Sequence, residues 1–203
     1  MGGALTPSHN FARKKHDMNY ATIKKNDVAN GPGIRVSLFV SGCRHGCPDC
    51  FNQEAWSFDY GAEFDRSKID EVLRACDRGF IEGLSILGGE PFEPENQEGV
   101  LTLLREFHDK FPDKNVWCYT GFLFDRELMS GDSRARTPLV EEIIKNIDIL
   151  VDGRFEAVKR DLTLRFRGSS NQRIIDVGAT LAKGDINSPV LWDENADSVS
   201  FDR

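Results

Sequence analysis

Cys43, Cys47 and Cys50 place three thiols within eight residues, in the order Cys43-Arg-His-Gly-Cys47-Pro-Asp-Cys50. Thiolates are the usual protein ligands of iron–sulfur clusters, and a closed cubane [4Fe–4S] cluster takes four of them. Three would leave one iron open to a ligand that is not protein, and an open position separates a reactive metal centre from a structural one. The competing reading is a structural zinc ion, with His45 or a distant cysteine as fourth ligand. Zinc sites usually pair two short arms, however, and Cys76 and Cys118 stand alone and far apart. Those two also cannot supply a second four-thiolate cluster. A disulfide framework fits poorly, because three adjacent thiols cannot all pair and no secretory pattern is visible ahead of them. The spacing favours iron and sulfur.

A reactive loop needs a rigid frame, and the chain alternates two periods that supply one. Ile34, Val36, Leu38 and Val40 recur at every second residue, which predicts a strand over 34–40. Ile69, Val72, Leu73 and Cys76 fall at helical spacing, with Gly79 placed to cap the helix and Cys76 read as a small core residue. Leu84–Leu87 reads as a short buried strand. Val100, Leu103, Leu104, Phe107 and Phe111 mark a second helix stopped by Pro112. Asn115–Thr120 is a third strand, Leu139–Ile147 a third helix, and Ile149–Val151 a fourth strand. Strands and helices alternating in this way predict an α/β fold with a mainly parallel sheet. The chain is short for a full (β/α)8 barrel, which typically needs ~250 residues, so a partial, open (β/α) barrel is expected. The cysteine loop follows the first of these strands, Gly88-Gly-Glu-Pro91 the second, Tyr119-Thr-Gly121 the third and Asp152-Gly-Arg154 the fourth. Parallel α/β proteins build their sites at that carboxyl edge.

Bulk properties narrow the class. The 203 residues suffice for one domain with a proper core, and two would be cramped. The 33 acidic and 26 basic residues give a net charge of −7, which opposes a large nucleic-acid footprint. No apolar run approaches the ~20 residues of a membrane span. The composition is that of a cytoplasmic protein in a reducing compartment. Residues 1–17 read as a disordered leader or a cloning remnant, and Gly2 with Thr6 formally matches an N-myristoylation pattern that arises easily by chance. The folded domain is expected over 18–182. Residues 183–203, with Asp185, Asp193, Glu194, Asp197 and Asp202, read as a mobile acidic tail.

The cysteine loop after the first strand and Gly-Gly-Glu-Pro after the second resemble the radical S-adenosylmethionine (SAM) enzymes. Asn30-Gly-Pro-Gly-Ile-Arg-Val-Ser-Leu-Phe-Val-Ser-Gly-Cys43, Cys50-Phe-Asn52 with Trp56, Leu150-Val-Asp-Gly-Arg-Phe155 and Arg167-Gly-Ser-Ser-Asn-Gln172 narrow the resemblance. They are similar to the glycyl-radical enzyme activases that serve anaerobic ribonucleoside-triphosphate reductase, over about residues 18–176. The resemblance implies a radical SAM-type barrel, a [4Fe–4S] cluster and SAM as cofactors, an external electron donor, and the large glycyl-radical subunit of the reductase as partner. It implies reductive cleavage of SAM and transfer of a hydrogen atom from a reductase glycine to the resulting 5′-deoxyadenosyl radical. Activation of another glycyl-radical enzyme, such as pyruvate formate-lyase, or radical chemistry on a small molecule stands as the alternative. One departure is that Asp49, not an aromatic residue, precedes the third cysteine, and Phe51 follows it.

Residue roles follow from that resemblance together with chemistry. Cys43, Cys47 and Cys50 are the expected cluster ligands. The backbone from Asp49 through Cys50 to Phe51 is expected near the adenine of SAM. Gly88 and Gly89 would let backbone approach SAM closely. Glu90 has the charge to pair with the SAM ammonium. Asn171 can orient the ribose or carboxylate, or simply form a turn. Arg35 and Arg154 can neutralise the SAM carboxylate or the cluster, or form surface ion pairs. His45 is expected to wall the site or face solvent, and Trp56 and Trp117 to lie in the core. Radical chemistry needs no acid–base pair, so no catalytic side chain is assigned beyond cluster and SAM.

Overall fold

A computed structural model describes residues 18–193. Its centre is strand β2 (Ile34–Val40), buried along nearly its whole length. A strand covered on both faces belongs in the middle of a sheet. It pairs in parallel with β4 (Ile81–Gly88), β4 with β5 (Asn115–Tyr119), and β5 with β6 (Ile149–Asp152). Two antiparallel additions flank this parallel core. On one side β1 (Asn19–Asp27) pairs with β2 and carries the two-residue β3 (Ala62–Glu63). On the other, β7 (Arg173–Asp176) pairs with β6. The sheet is therefore seven-stranded, in the order β3-β1-β2-β4-β5-β6-β7, and it stays open.

The helices form where the apolar stripes predict them. Helix α1 (Arg66–Cys76) is capped by Asp65, whose side chain accepts from the Lys68 N–H, and it buries Ile69, Val72, Leu73 and Cys76. It ends at Asp77, earlier than the Gly79 cap expected from sequence, because the Asp77 N–H already reaches back to the last turn. Helix α2 (Pro94–Lys110) starts on a proline, which costs nothing at the first turn, and stops at Phe111. Helix α3 (Val140–Lys145) is shorter than its stripe, and α4 (Val177–Lys183) follows β7 directly. Apolar residues of all four helices join Val36, Leu38, Leu84, Ile86, Val116, Cys118 and Leu150 in one core. The helices thus share one face of the sheet. The opposite face carries Trp117, Ile149, Val151 and Ile174, with Phe166 and Trp192 packed over them.

The expected tail begins later than residue 183. The Asp176 N–H donates to the Val190 carbonyl and the Trp192 N–H to the Ile174 carbonyl, both at 2.9 Å, and Leu191 bridges to Ile175. Three successive apolar residues, Val190 to Trp192, outweigh the acidic composition around them. Residues 1–17 and 194–203, with the leader, the myristoylation pattern and the last ten residues of the expected acidic tail, lie outside the described residues. Among the described residues no helix is long and apolar enough to cross a membrane.

Candidate metal and cofactor site

Because β2, β4, β5 and β6 run parallel, the four loops singled out in sequence leave the sheet at one edge, and backbone hydrogen bonds lace them together. Gly89 N–H donates to Val40 O (2.7 Å) and Glu90 N–H to Gly42 O (2.8 Å), tying the turn after β4 to the start of the cysteine loop. Cys43 N–H donates to Trp56 O at 3.1 Å, which closes that loop on itself. Thr120 N–H donates to Val151 O (2.9 Å) and Gly153 N–H to Phe122 O (3.2 Å), joining the loops after β5 and β6.

The three thiols are free and half-buried. Burial pushes the Cys43 thiol up to about 12, and burial with the neighbouring Cys50 raises Cys47. Metal binding must strip these protons, as it does at every thiolate site. The loop turns through Gly46 and Asp49, both in the left-handed region (φ 61° and 55°). Aspartate tolerates that conformation better than most residues, and a bulky aromatic tolerates it poorly. This is a physical reason for an aspartate to suit the position before the third cysteine. Among the described residues no three thiol, imidazole or carboxylate groups converge on one point, as a single zinc ion would need. A cubane places each thiolate on a different iron and needs no such convergence. The zinc reading loses its near ligand too, since His45 turns away from the thiols into Glu90 and Arg154.

Glu90 has partners inside the protein. It is almost fully buried, and its Oε1 accepts from Phe92 N–H (2.9 Å) and the Thr120 hydroxyl (2.8 Å). Its Oε2 accepts from Gly121 N–H and pairs with His45 Nε2, both at 2.8 Å. A carboxylate has about four acceptor positions, and here all are used inside the protein. The side chain ties three loops together. Gly88 and Gly89 also serve the frame. A Cβ on Gly88 would meet Val40 O at 2.7 Å, and one on Gly89 would meet Gly42 O at 2.6 Å, so it is β2 and the cysteine loop that approach them closely.

Asn171 fits a ligand better. Its amide donates to Arg154 O at 2.8 Å, while its Oδ1 is buried with no partner, an acceptor left for a donor group. Phe51 is 84 % exposed beside the third cysteine. Arg154 reaches His45 and Glu127 at the site edge. Arg35 is placed elsewhere: it is the second residue of β2, at the far end of the sheet from the cysteines. There it is wholly buried and donates to Ser85 Oγ (2.7 Å), Leu84 O (2.8 Å) and Asn115 O (3.2 Å). It is neither a site cation nor a surface ion-pair residue. Trp117 lies in the core as expected, and Trp56 is half-buried.

Sequence reasoning missed the fastening on the outer side of the loop. Arg44 donates its backbone N–H (2.9 Å) and its guanidinium (2.7 Å) to Glu93, a fully buried carboxylate that also pairs with Arg134 at 2.9 Å. Burial works to raise the Glu93 pKa, but the hydrogen bonds from Arg134 and Arg44 outweigh it and hold the carboxyl below its ordinary value. No spacing rule links residues 44, 93 and 134, which meet only through the fold.

Residues 29–175 match the family model of a 4Fe-4S single cluster domain. The chain is 38 % identical over 159 residues to the anaerobic ribonucleoside-triphosphate reductase-activating protein of Pasteurella multocida, covering 77 % of this chain and 96 % of that one. It is 36 % identical over 157 residues to the protein of the same name from Escherichia coli K12, covering 76 % and 96 %. The corresponding protein of Enterobacteria phage T4 is 35 % identical over 159 residues, covering 77 % and 93 %. The chain belongs to this activase family. The matched span of the family model runs from Ala29, in the turn after β1, to Ile175 in β7, so it contains every loop of the carboxyl edge. As a member of a single-cluster family, the chain has one cluster to hold, and the C-x3-C-x2-C loop is its one group of closely spaced thiols.

Proposed function

We propose that the chain activates an anaerobic ribonucleoside-triphosphate reductase, holding a [4Fe–4S] cluster through Cys43, Cys47 and Cys50 and presenting SAM to its open iron. The observation that carries this reading is a loop of three thiols with no fourth ligand beside it among the described residues, its histidine turned away, in a chain of the activase family. Bound together, cluster and SAM supply one-electron cleavage of the SAM carbon–sulfur bond and hydrogen-atom abstraction from a glycine. The protein supplies position. Asn171 Oδ1 offers an acceptor toward SAM, and the backbone of Asp49 to Phe51 is the surface for the adenine. Glu90, Gly88 and Gly89 keep the loops in register. The open sheet, with its helices on one face, is read as a partial radical SAM barrel whose uncovered carboxyl edge admits a loop of the reductase. An external donor delivers the electron. The working compartment is the reducing cytoplasm, which suits the reduced thiols, and neither nucleic acid nor membrane takes part.

Anaerobic reconstitution followed by mixing with the reductase, SAM and dithionite tests the proposal. A glycyl-radical signal by electron paramagnetic resonance, with 5′-deoxyadenosine and methionine formed alongside it, is the expected result. Without the reductase, SAM cleavage should be slow and leave no protein radical. A colourless protein holding zinc and no iron would overturn the reading. A preparation that cleaves SAM but never radicalises the reductase would move the activity to another substrate.

A further inference from the structure

We propose that His45 is a positioning residue that clamps the three-cysteine loop to the turns following β4, β5 and β6. The inference rests on the cluster-bearing role given to that loop. It arises because the loop lacks regular secondary structure from Ser41 to Cys47 and bends through three positive-φ residues, Gly42, Gly46 and Asp49. Such a loop does not fix three sulfurs unaided, whereas site geometry must hold within about 0.5 Å.

The His45 side chain is 3 % exposed and that of Glu90 1 %. Arg154 Nε, an obligate donor, donates to His45 Nδ1 at 3.1 Å. Nδ1 therefore accepts, and the hydrogen sits on Nε2, which donates to Glu90 Oε2 at 2.8 Å. The ring lies edge-on to Phe122 at 4.4 Å and covers Gly121 so closely that a Cβ there would come within 2.5 Å of it. Glu90 relays the attachment to Thr120 and Gly121 after β5, and Arg154 relays it to Asn171, the residue with a free acceptor. His45 fastens the inner side of the loop while the preceding residue, Arg44, fastens the outer side to Glu93. The Glu of the Gly-Gly-Glu-Pro turn thus acts on the cysteine loop through His45.

The test uses the full chain, reconstituted anaerobically, with neither SAM nor reductase present. Iron content, the rate of iron loss to a chelator, and the resonance spectrum of the reduced cluster are compared for wild type, His45→Phe, His45→Gln, Gly121→Ala and Glu90→Gln. His45→Phe keeps the ring against Phe122 and loses both hydrogen bonds. Loss of one charge-assisted bond should speed iron loss roughly tenfold or more and alter the spectrum. His45→Gln retains a donor for Glu90 and should stay within about threefold of wild type. Gly121→Ala displaces the ring without touching His45 and should behave like His45→Phe. The double variant His45→Phe/Glu90→Gln should lose less than the sum of the two singles, since the His45–Glu90 bond is counted in both. Wild-type iron retention and spectrum in His45→Phe, or additive effects in the double variant, would overturn the clamp. If His45→Phe does not fold, equal iron-loss rates in His45→Gln and Gly121→Ala would overturn it instead. Failure of wild type itself to take up a cluster would strike the functional reading, a different outcome from a normal cluster indifferent to His45.

Discussion

At the amino-end half of the inner sheet face the chain closes on itself through bulk. At the carboxyl ends of the same strands it is joined by polar side chains meeting in pairs. In the first region Arg35 lies 5.8 Å from the Trp117 ring centre, and Trp117 packs edge-on against Trp192 (5.2 Å) and Phe166 (5.3 Å). Burial lowers the Arg35 pKa to about 10, and carbonyl and hydroxyl acceptors take up its donors in place of a carboxylate. In the second region Glu90 and Glu93 each collect donors from several loops, and glycines let backbones touch. Packing is non-directional and tolerates small shifts. Hydrogen bonds to a buried carboxylate fix direction as well as distance. The end that must place three sulfurs is the end that uses the directional force.

The comparison is broken most completely at the thiols. Cys43→Ala, Cys47→Ala or Cys50→Ala should abolish cluster uptake and SAM cleavage while the metal-free chain melts near wild type, because a loop and not the core is altered. Cys76→Ala, in the core under α1, should leave iron content unchanged and only lower stability. Iron loss from Cys76→Ala with retention in Cys47→Ala would reverse the assignment. The amino-end region should respond in the opposite sense. Trp117→Ala removes a fully buried indole and should cost about 3–5 kcal/mol in denaturant unfolding. Whatever fraction remains folded should bind SAM as wild type does. A loss of SAM affinity larger than the loss of folded protein would show that the two regions are coupled.

A finer contrast is available at Glu93. Glu93→Gln keeps the shape but removes the charge shared by Arg44 and Arg134. The cost should be about 1.5 kcal/mol, the low end for charged hydrogen bonds, because both arginines are partly exposed and screened. Its folded pKa lies below the unfolded value of about 4.5, so its contribution is complete above that pH and fades as pH falls through the lower folded value. The stability gap between wild type and Glu93→Gln should therefore be steady at neutral pH and narrow on acidification below about 4.5. A gap independent of pH would mean that the ion pairs add nothing to packing.

The parallel core was legible in sequence because its strands carry apolar residues on the helix-facing side at every second position, as in Val36, Leu38 and Val40. The flanking strands were not. β1 exposes Lys24 and Lys25 and breaks register twice against β2, and β7 offers only Ile174 and Ile175 as apolar signal. The cysteines declared themselves through spacing. The partners of Glu90 were not legible, because a sequence does not show that four donors from three segments arrive at one carboxylate. Arg35 was misplaced for a related reason. A charged residue inside an alternating strand gives its face but not its depth, and three of the acceptors of this one lie 49 to 80 residues away.

The return of Val190–Trp192 along β7 has a consequence for the outer margin of the sheet. Without that segment β7 would present a row of unpaired N–H and C=O groups, the kind of edge on which a second chain can build. The Asp176 N–H and the Ile174 carbonyl are among the groups it occupies, and Leu191 pairs where a foreign strand would begin. The last apolar triplet therefore acts as a selvedge, a finished border that keeps an open sheet from growing into its neighbour. Shortening the chain before Val190 would leave the cysteine loop untouched and yet invite strand-to-strand association, while an extension fused beyond Asp193 would leave the border whole.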